Sequence, residues 1–460
     1  MEPVLELLNK LARKGIKLSV EGDDLNCYTQ KGLLTQELRD SISQNKSQII
    51  TTLRIRDSLQ PAENRTEKVP LLDLQAEAVL DPGIQTSVTG GDKVDFTAAR
   101  AIFLTGASGF LGAFLLHDLL TDTDACIYCL VRCRSEADGY ERIRNNLLRY
   151  GLWNDSFAPR ILPLPGDLSR PLLGLGSTAF ASLAGTIDTV YHNGAIVNFI
   201  YPYSSLKDSN VRGTEEVIRL ACQGTPKPLH YVSTVGIFPT TRSHNTTILE
   251  SDPAADWQGL VEGYRQSKWV AEKIVKIAAA RGLPVRIYRP GFVSGDTASG
   301  IWNTDDFLPR MLKGCIQLRS VPDSRAQIQV VPVDYVSKAI VHLSRQRTLS
   351  SNVFHIVSPR TLPARDLARL IASLGYNVTI VPYAEWRNAL LENARVSSGN
   401  VLYPLLTMFT DDPLLEQIPA FDCSNTLEGL KGTNIVCPEM NADLMAKYVA
   451  HFRNSGFLAA

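Results

Sequence analysis

The chain of 460 residues is longer than one domain usually requires, and because 44% of its residues are hydrophobic it can form a sizeable core. Its 47 Lys and Arg residues balance 47 Asp and Glu residues, which excludes the strongly basic surface that nucleic acids or anionic membranes would attract. No apolar run has the length of a membrane span and the N-terminus lacks a signal-peptide pattern, so we expect a cytoplasmic protein.

Residues 1–56 are predicted to form a small α+β unit, because two helical patterns flank a hairpin pattern. Leucines at helical spacing indicate a first helix, which ends at Gly15. Residues 16–20 and 25–28 are strand candidates on either side of a polar turn and therefore indicate a hairpin. Thr35 is predicted to cap the next helical segment. These patterns by themselves indicate a small accessory domain and do not indicate its function.

A polar stretch over residues 57–69 has no periodicity and is predicted to be a linker. Residues 71–80 then indicate a short helix that leads into the main domain. We place that main domain at residues 70–460.

A three-glycine turn stands between a strand candidate at residues 101–104 and a helix candidate at residues 113–120. Strand, glycine turn and helix in this order open a dinucleotide-binding unit. The first glycine permits the tight turn, the second lets backbone N–H groups approach a pyrophosphate, and the third lets the helix pack close to the strand. The helix N-terminus adds partial positive charge for the phosphates. The predicted cofactor residues here are Gly106, Ser108, Gly109, Phe110, Leu111 and Gly112.

From residue 98 onward, predicted strands and helices alternate, which indicates a parallel sheet with helices on both faces. The fold class is therefore α/β, with a Rossmann-type doubly wound sheet. Residues 98–290 are assigned mainly to cofactor binding. Residues 291–460 have a looser mixed pattern and are predicted to form a smaller substrate subdomain over the cofactor crevice. Strand candidates after the first lie at residues 126–131, 161–165, 189–192, 229–233 and 285–288.

The eight cysteines are scattered and predict no metal site. Cys126 and Cys129 fall on opposite faces of one predicted strand, so they cannot share an ion. We expect reduced thiols.

Arg132 stands at the end of the second predicted strand, where an NAD enzyme usually has an acidic residue for the ribose 2′-hydroxyl. An arginine there accommodates a 2′-phosphate instead, which favours NADP(H). Arg142, ten residues further on, could complete a phosphate clamp. Taken by itself, Arg142 is better explained as a residue that solvates a helix face.

Residues after the third and fourth strands are predicted to contact the same cofactor. Asp167, followed by Leu168, can reach the adenine amino group. The small residues of the sequence Asn193-Gly194-Ala195 allow close approach of the cofactor. His192, just before them, is expected to be structural.

Tyr264 and Lys268 are four residues apart on a predicted helix and therefore share one face. A nearby ammonium is expected to lower the pKa of the phenol and make it a better proton donor or acceptor. Lys268 can also bond the nicotinamide ribose. A hydroxyl at the end of the preceding strand can stabilise an oxyanion, and Thr234 is preferred for this role over Ser233.

These motifs, together with the sequence Arg289-Pro290-Gly291, resemble the extended short-chain dehydrogenase/reductase superfamily. More narrowly, the chain resembles the thioester reductase domains of nonribosomal peptide synthetases and carboxylic acid reductases. The narrower resemblance is carried by residues 73–80, 129–132, 210–214, 448–452 and 456–458, together with Arg142.

The resemblance implies that Thr234, Tyr264 and Lys268 are catalytic and that Tyr264, Lys268 and Pro290 contact NADPH. It implies reductive release of a carrier-bound acyl or peptidyl thioester as an aldehyde, with an alcohol after a second reduction. Such reductases often follow adenylation and carrier domains, and this chain has neither. Its substrate is therefore expected to arrive on a phosphopantetheinyl carrier of another protein.

Residues 13–23 and 31–38 resemble the tubulysin-type N-terminal docking domain of nonribosomal peptide and polyketide assembly lines. This resemblance implies that residues 1–56 bind an upstream synthetase subunit. Two alternatives remain. A nucleotide-sugar epimerase or dehydratase would share the superfamily motifs, but Arg132 and the docking-like start speak against it. A non-catalytic docking protein would not need an intact Tyr264 and Lys268.

Overall fold

The computed structural model describes residues 73–86, 99–239, 247–324, 326–396, 399–409 and 419–459, together with parts of the first 53 residues. The predicted linker at residues 57–69 and most of the predicted first helix lie outside the described residues.

The predicted N-terminal hairpin is present. Strand Lys17–Glu21 pairs antiparallel with strand Asp24–Tyr28. Helix Gln36–Gln44 begins after Thr35, whose hydroxyl accepts a hydrogen bond from the Leu38 amide at 3.4 Å and so acts as the predicted cap. The buried side chains of this segment form a small core of their own, made of Leu11, Ile16, Leu18, Leu38, Ile49 and Leu53.

The centre of the main domain is a parallel sheet of seven strands, which confirms the predicted Rossmann-type fold. The strand order reverses between Ala101–Thr105 and Thr189–His192, and a crevice for a ligand forms at such a switch point. Strand Ala101–Thr105 is buried throughout, because helices cover both faces of the sheet. In sheet order, the strands are Val353–Ile356, Val285–Pro290, Leu229–Val232, Thr189–His192, Ala101–Thr105, Cys126–Val131 and Ile161–Pro165.

Two apolar cores lie on the two faces of this sheet. One contains helices Phe110–Asp122, Glu136–Arg149 and Val333–Ser344. The other contains helices Ser177–Thr186, Tyr203–Lys207, Gly213–Cys222 and Gly263–Ala280. Helix Leu74–Glu77 joins the second core through Leu74, so the segment before the sheet is packed onto the main domain.

Residues after 290 form a third core around helices Phe307–Leu318, Tyr383–Val396 and Ala442–Asn454. Strand Val353–Ile356 also belongs to this half of the chain, but it pairs with strand Val285–Pro290 and forms an edge of the central sheet. The division at residue 290 therefore stays a prediction. Further helices of this half of the chain are Ala364–Ser373 and Ser424–Gly429. Short strands pair two by two outside the central sheet: Phe292–Ser294 with Val330–Pro332, Ser320–Asp323 with Thr379–Pro382, Gln327–Ile328 with Leu362–Pro363, and Thr247–Ile248 with Ala420–Phe421.

Within the described ranges, no helix combines the length and apolar character that a membrane crossing needs.

Candidate active site

A cavity of about 620 Å³ opens at the carboxyl edge of the central sheet. Its far wall comes from the third core and includes Phe307, Met311 and Trp386. Every residue predicted for cofactor binding or catalysis lines this cavity except Gly112, namely Gly106, Ser108, Gly109, Phe110, Leu111, Arg132, Arg142, Asp167, Leu168, Asn193, Gly194, Ala195, Thr234, Tyr264, Lys268 and Pro290.

Gly112 lies behind the glycine turn and sets its shape. A Cβ atom at Gly112 would lie 1.8 Å from the carbonyl oxygen of Gly106, so the helix could not approach the strand with any side chain there. Gly106 has a φ of +78°, and its own Cβ would meet the backbone of Gly194 at 2.8 Å. The Asn146 side-chain amide donates to the carbonyls of Ala107 and Gly109, at 3.1 and 3.0 Å, and braces the turn. The sequence did not predict this role of Asn146, because the residue lies 39 and 37 positions along the chain from the two carbonyls that it contacts.

The two predicted clamp arginines lie together beyond strand Cys126–Val131. Arg142 donates through Nη1 to the backbone carbonyl of Arg132 at 2.8 Å. Both side chains are exposed at the cavity wall. This contact anchors Arg142 beside Arg132, so Arg142 does more than solvate a helix face.

The strand ends next to the glycine turn are closely packed. The Gly194 amide donates to the Thr105 hydroxyl at 2.8 Å, and a Cβ at Gly194 would lie 2.8 Å from the Leu168 side chain. One oxygen of Asp167 accepts two bonds from Ser169, which orient the carboxylate at the cavity wall. His192 is buried between two threonine hydroxyls, and burial lowers its pKa to about 3, which suits the expected structural role.

Thr234 follows strand Leu229–Val232 and faces the cavity. Its hydroxyl oxygen accepts a bond from the Gly236 amide at 3.0 Å, an interaction that does not use the hydroxyl proton. Ser233, by contrast, is buried and donates its proton to Glu272 at 2.7 Å. The geometry thus favours Thr234 over Ser233 as a donor to a ligand oxygen.

Tyr264 and Lys268 lie on the first turns of helix Gly263–Ala280. The helix begins in close contact with a neighbouring loop, since a Cβ at Gly263 would lie 2.4 Å from the Tyr201 carbonyl. The Lys268 ammonium donates to the Val232 carbonyl at 2.8 Å and stands 4.3 Å from the centre of the Tyr231 ring. Burial lowers the pKa of Lys268 to about 7, and Glu272 partly opposes this shift.

The expected lowering of the Tyr264 pKa is wrong for this structure. Burial raises the pKa of the phenol, and the nearby carboxylate of Asp306 raises it further. The reason is that desolvation disfavours the phenolate, while the ammonium of Lys268 is directed to a backbone carbonyl. In this state Tyr264 is a proton donor rather than a ready base.

A buried ionic network supports the strand ends behind Thr234. The Arg289 guanidinium donates to both carboxylate oxygens of Glu272, at 3.1 and 2.6 Å, and to His355 at 3.1 Å. Arg289 holds the pKa of Glu272 at about 2, although burial alone would raise it. The network therefore joins the turn at Ser233, helix Gly263–Ala280 and the edge strand Val353–Ile356.

Asp306 is a second residue that sequence reasoning missed. It lines the cavity immediately before helix Phe307–Leu318. In the sequence Asp306 has only the pattern of an ordinary helix cap, so no local feature predicts that it belongs to the cavity wall.

Comparison with known proteins agrees with this architecture. A family model of an NAD-binding domain described as male sterility protein matches residues 104–340, and the TubC N-terminal docking domain matches residues 4–54. The terminal R domain from the myxalamid PKS-NRPS biosynthetic pathway is 44% identical, with a TM-score of 0.78, over 84% of this chain and 98% of that structure.

Two curated relatives are much longer than this chain. A linear gramicidin synthase subunit of Brevibacillus parabrevis is 41% identical over 85% of this chain and 8% of its own length. L-2-aminoadipate reductase of Schizosaccharomyces pombe is 33% identical over 85% of this chain and 30% of its own length. Among the curated relatives compared, the chain spans 8 to 37% of their lengths.

The class of protein follows from the fold and these matches together: it is an oxidoreductase that binds a nicotinamide dinucleotide. The chain belongs to the reductase (R) domain family of nonribosomal peptide synthetases, and its N-terminal segment belongs to the TubC docking family.

Proposed function

We propose that this chain is an NADPH-dependent reductase that releases a carrier-bound acyl or peptidyl thioester as an aldehyde. The observation that carries the proposal is the position of Thr234, Tyr264 and Lys268 in one cavity with the glycine turn and a long apolar wall. The balanced reaction is RCO–SR′ + NADPH + H⁺ → RCHO + HSR′ + NADP⁺. A second reduction of the same kind would give an alcohol.

The residues at the sheet edge fit this cofactor. The shape of the glycine turn depends on the missing Cβ atoms of Gly106 and Gly112, and the turn ends at the N-terminus of helix Phe110–Asp122, which suits a pyrophosphate. Arg132 and Arg142 would hold a 2′-phosphate, which supports NADPH over NADH. When bound, NADPH supplies the hydride that reduces the carbonyl carbon.

Residues of this chain would stabilise the carbonyl oxygen of the thioester and supply the proton that it receives. The hydroxyls of Thr234 and Tyr264 hold the carbonyl oxygen as negative charge develops on it. Tyr264 then donates its proton to that oxygen, consistent with its raised pKa. Lys268 would hold the nicotinamide ribose and assist reprotonation of Tyr264. Collapse of the resulting thiohemiacetal expels the carrier thiol and leaves the aldehyde.

The far part of the cavity suits an acyl chain. Its wall is mainly aromatic and apolar, as in Phe292, Phe307, Met311, Trp386 and Phe409. Such a wall offers few partners for the charged diphosphate and sugar hydroxyls of a nucleotide sugar, which disfavours the epimerase alternative.

The docking family of residues 4–54 supports a partner in an assembly line. We propose that residues 1–56 bind an upstream synthetase subunit, whose carrier presents the thioester. Placement in the cytoplasm stays a prediction.

The test is to incubate the protein with NADPH and an acyl-pantetheine thioester, following the absorbance of the reduced nicotinamide and identifying the product. We expect an aldehyde or alcohol together with one free thiol for each acyl group released. Tyr264→Phe is the control for enzymatic turnover. Conversion of a nucleotide sugar without thioester reduction would overturn the proposal in favour of the epimerase alternative.

A further inference from the structure

Asp306 stands at the N-cap position of helix Phe307–Leu318 but does not serve as a side-chain cap. Its backbone is extended, with φ −74° and ψ 163°, and its carboxylate makes no capping bond to the second or third helical amide. Aspartate at this position usually accepts such a bond. Here the side chain instead contributes to the cavity wall.

The surroundings of Asp306 are mostly apolar. Phe307 follows it, and the Phe307 ring lies between those of Phe199 and Phe292, at 5.9 and 6.2 Å. Arg310, the nearest cation on the same helix, forms its ion pair with Asp305 at 3.5 Å. Burial raises the pKa of Asp306 to about 6 and Asp305 adds to this rise, while Arg310 and the Phe307 amide oppose it. The phenols of Tyr150 and Tyr264 also face this carboxylate, which adds to the rise that burial causes in the pKa of each phenol.

Asp306 is also close to the reacting group. Its charge acts directly on the Tyr264 phenol, and Phe199 contacts both Tyr264 and Phe307, with ring centres 5.8 and 5.9 Å apart. Because Asp306 and Tyr264 line the same cavity, a substrate whose carbonyl oxygen is held by Tyr264 can place the atoms next to that carbonyl within reach of this carboxylate.

Other carboxylates of the cavity wall already have partners. Glu262 pairs with Arg265 at 3.2 Å, and Asp167 accepts bonds from Ser169. Asp306 is half-buried, and its carboxylate accepts a hydrogen bond from the Phe307 amide, which leaves further acceptor capacity for a ligand. A carboxylate in a largely apolar wall favours a ligand that brings such a donor.

We propose that Asp306 is a specificity-determining residue that accepts a hydrogen bond from an N–H next to the thioester carbonyl. The preferred substrates would then be aminoacyl or peptidyl thioesters rather than plain fatty acyl thioesters. This inference rests on the proposed function and narrows its substrate class. A site built to bond an N–H discriminates against an analogue without it, because the half-buried acceptor then loses that partner.

The experiment compares two N-acetylcysteamine thioesters of equal size. One carries an N-acetylleucyl group, and in the other a methylene replaces the N–H. We expect the wild type to prefer the first in kcat/KM by about 10- to 100-fold. Asp306→Leu keeps a similar shape but has no acceptor, and it should bring the ratio of the two kcat/KM values close to one, whatever its effect on the chemical step that both thioesters share. Asp443→Leu is the matched control and should leave the preference unchanged, because Asp443 is an exposed carboxylate in the first turn of helix Ala442–Asn454 and is not part of the cavity wall formed by the described residues.

A second measurement needs no variant. The wild-type preference for the N–H substrate should weaken as pH falls through about 6, because the carboxylate becomes protonated. Equal kcat/KM for the two thioesters in the wild type overturns the inference. Equal losses on both thioesters in Asp306→Leu, with the preference retained, also overturn it and assign Asp306 to a step that both substrates share. If the wild type reduces neither thioester nor any acyl-pantetheine, the proposed function itself has failed.

Discussion

Replacing Arg132 with alanine is expected to reduce the preference for NADPH over NADH. Arg132 is exposed at the end of strand Cys126–Val131, and Arg142 is anchored to its carbonyl at 2.8 Å. The substitution removes one guanidinium and keeps that carbonyl, so Arg142 retains its anchor. The change therefore tests one charge at the predicted 2′-phosphate site without dismantling the clamp.

The magnitude follows from the exposure of this contact. A hydrogen bond between charged groups contributes about 1.5–3 kcal/mol, and solvent at an exposed site favours the lower limit. About 1.5 kcal/mol corresponds to roughly a tenfold change in affinity. Arg142→Ala should have a similar effect, and the double variant should lose less than the sum, since both side chains would share one phosphate. Added salt should weaken NADPH binding to the wild type and have little effect on the double variant.

The assay measures kcat/KM and Kd for both cofactors with the same thioester. Arg134→Ala is the matched control, because Arg134 is exposed on the same turn but is not part of the cavity wall formed by the described residues. We expect a roughly tenfold loss with NADPH in Arg132→Ala and less than about a twofold change with NADH. Equal losses with both cofactors would refute the assignment of Arg132 to the 2′-phosphate.

Three further predictions concern chemistry and docking. Tyr264→Phe should lower turnover by about 10²–10⁴ with almost unchanged NADPH affinity, measured by steady-state kinetics and titration, and near-normal turnover would show that another group donates the proton. Because burial lowers the pKa of Lys268 to about 7, its ammonium is lost as pH rises through that value, and kcat/KM should fall with it. Lys268→Arg should abolish this limb of the pH profile, Glu272→Gln should move it to lower pH, and a flat wild-type profile would argue against a required ammonium. Deleting residues 1–56 should leave reduction of a free thioester intact but slow reduction of a thioester on the partner's carrier, most clearly at low protein concentration. Equal activity of the truncated and full chains on the carrier-bound substrate would contradict a docking role.

Much of the fold could be predicted from local patterns. Parallel strands that are buried on both faces are continuously apolar, as in Ala101–Thr105, and the glycine turn after this strand has a specific physical use. Because all parallel strands end at one edge, residues at separate strand ends, such as Arg132, Asp167 and Thr234, could be expected to meet. They do line one cavity.

Patterns at element boundaries and in the second half of the chain were less informative. The apolar pattern over residues 362–374 predicts a single helix, but the helix begins only at Ala364, after a two-residue strand that pairs with Gln327–Ile328. Strand Val353–Ile356 was not predicted, because membership of the sheet depends on its partner Val285–Pro290 rather than on its own four residues.

The sequence by itself thus determined the sheet, the glycine turn and the residues at the strand ends, because these depend on short-range periodicity and on backbone freedom. Only the tertiary structure decided the electrostatics of the cavity. The raised pKa of Tyr264 and the ion pair between Glu272 and Arg289 arise from burial and from contacts between residues distant in the chain. The same is true of Asp306, whose ordinary capping position gives no sign that its carboxylate contributes to the cavity wall. Desolvation and charge proximity are properties of the packed interior, and no local pattern records them.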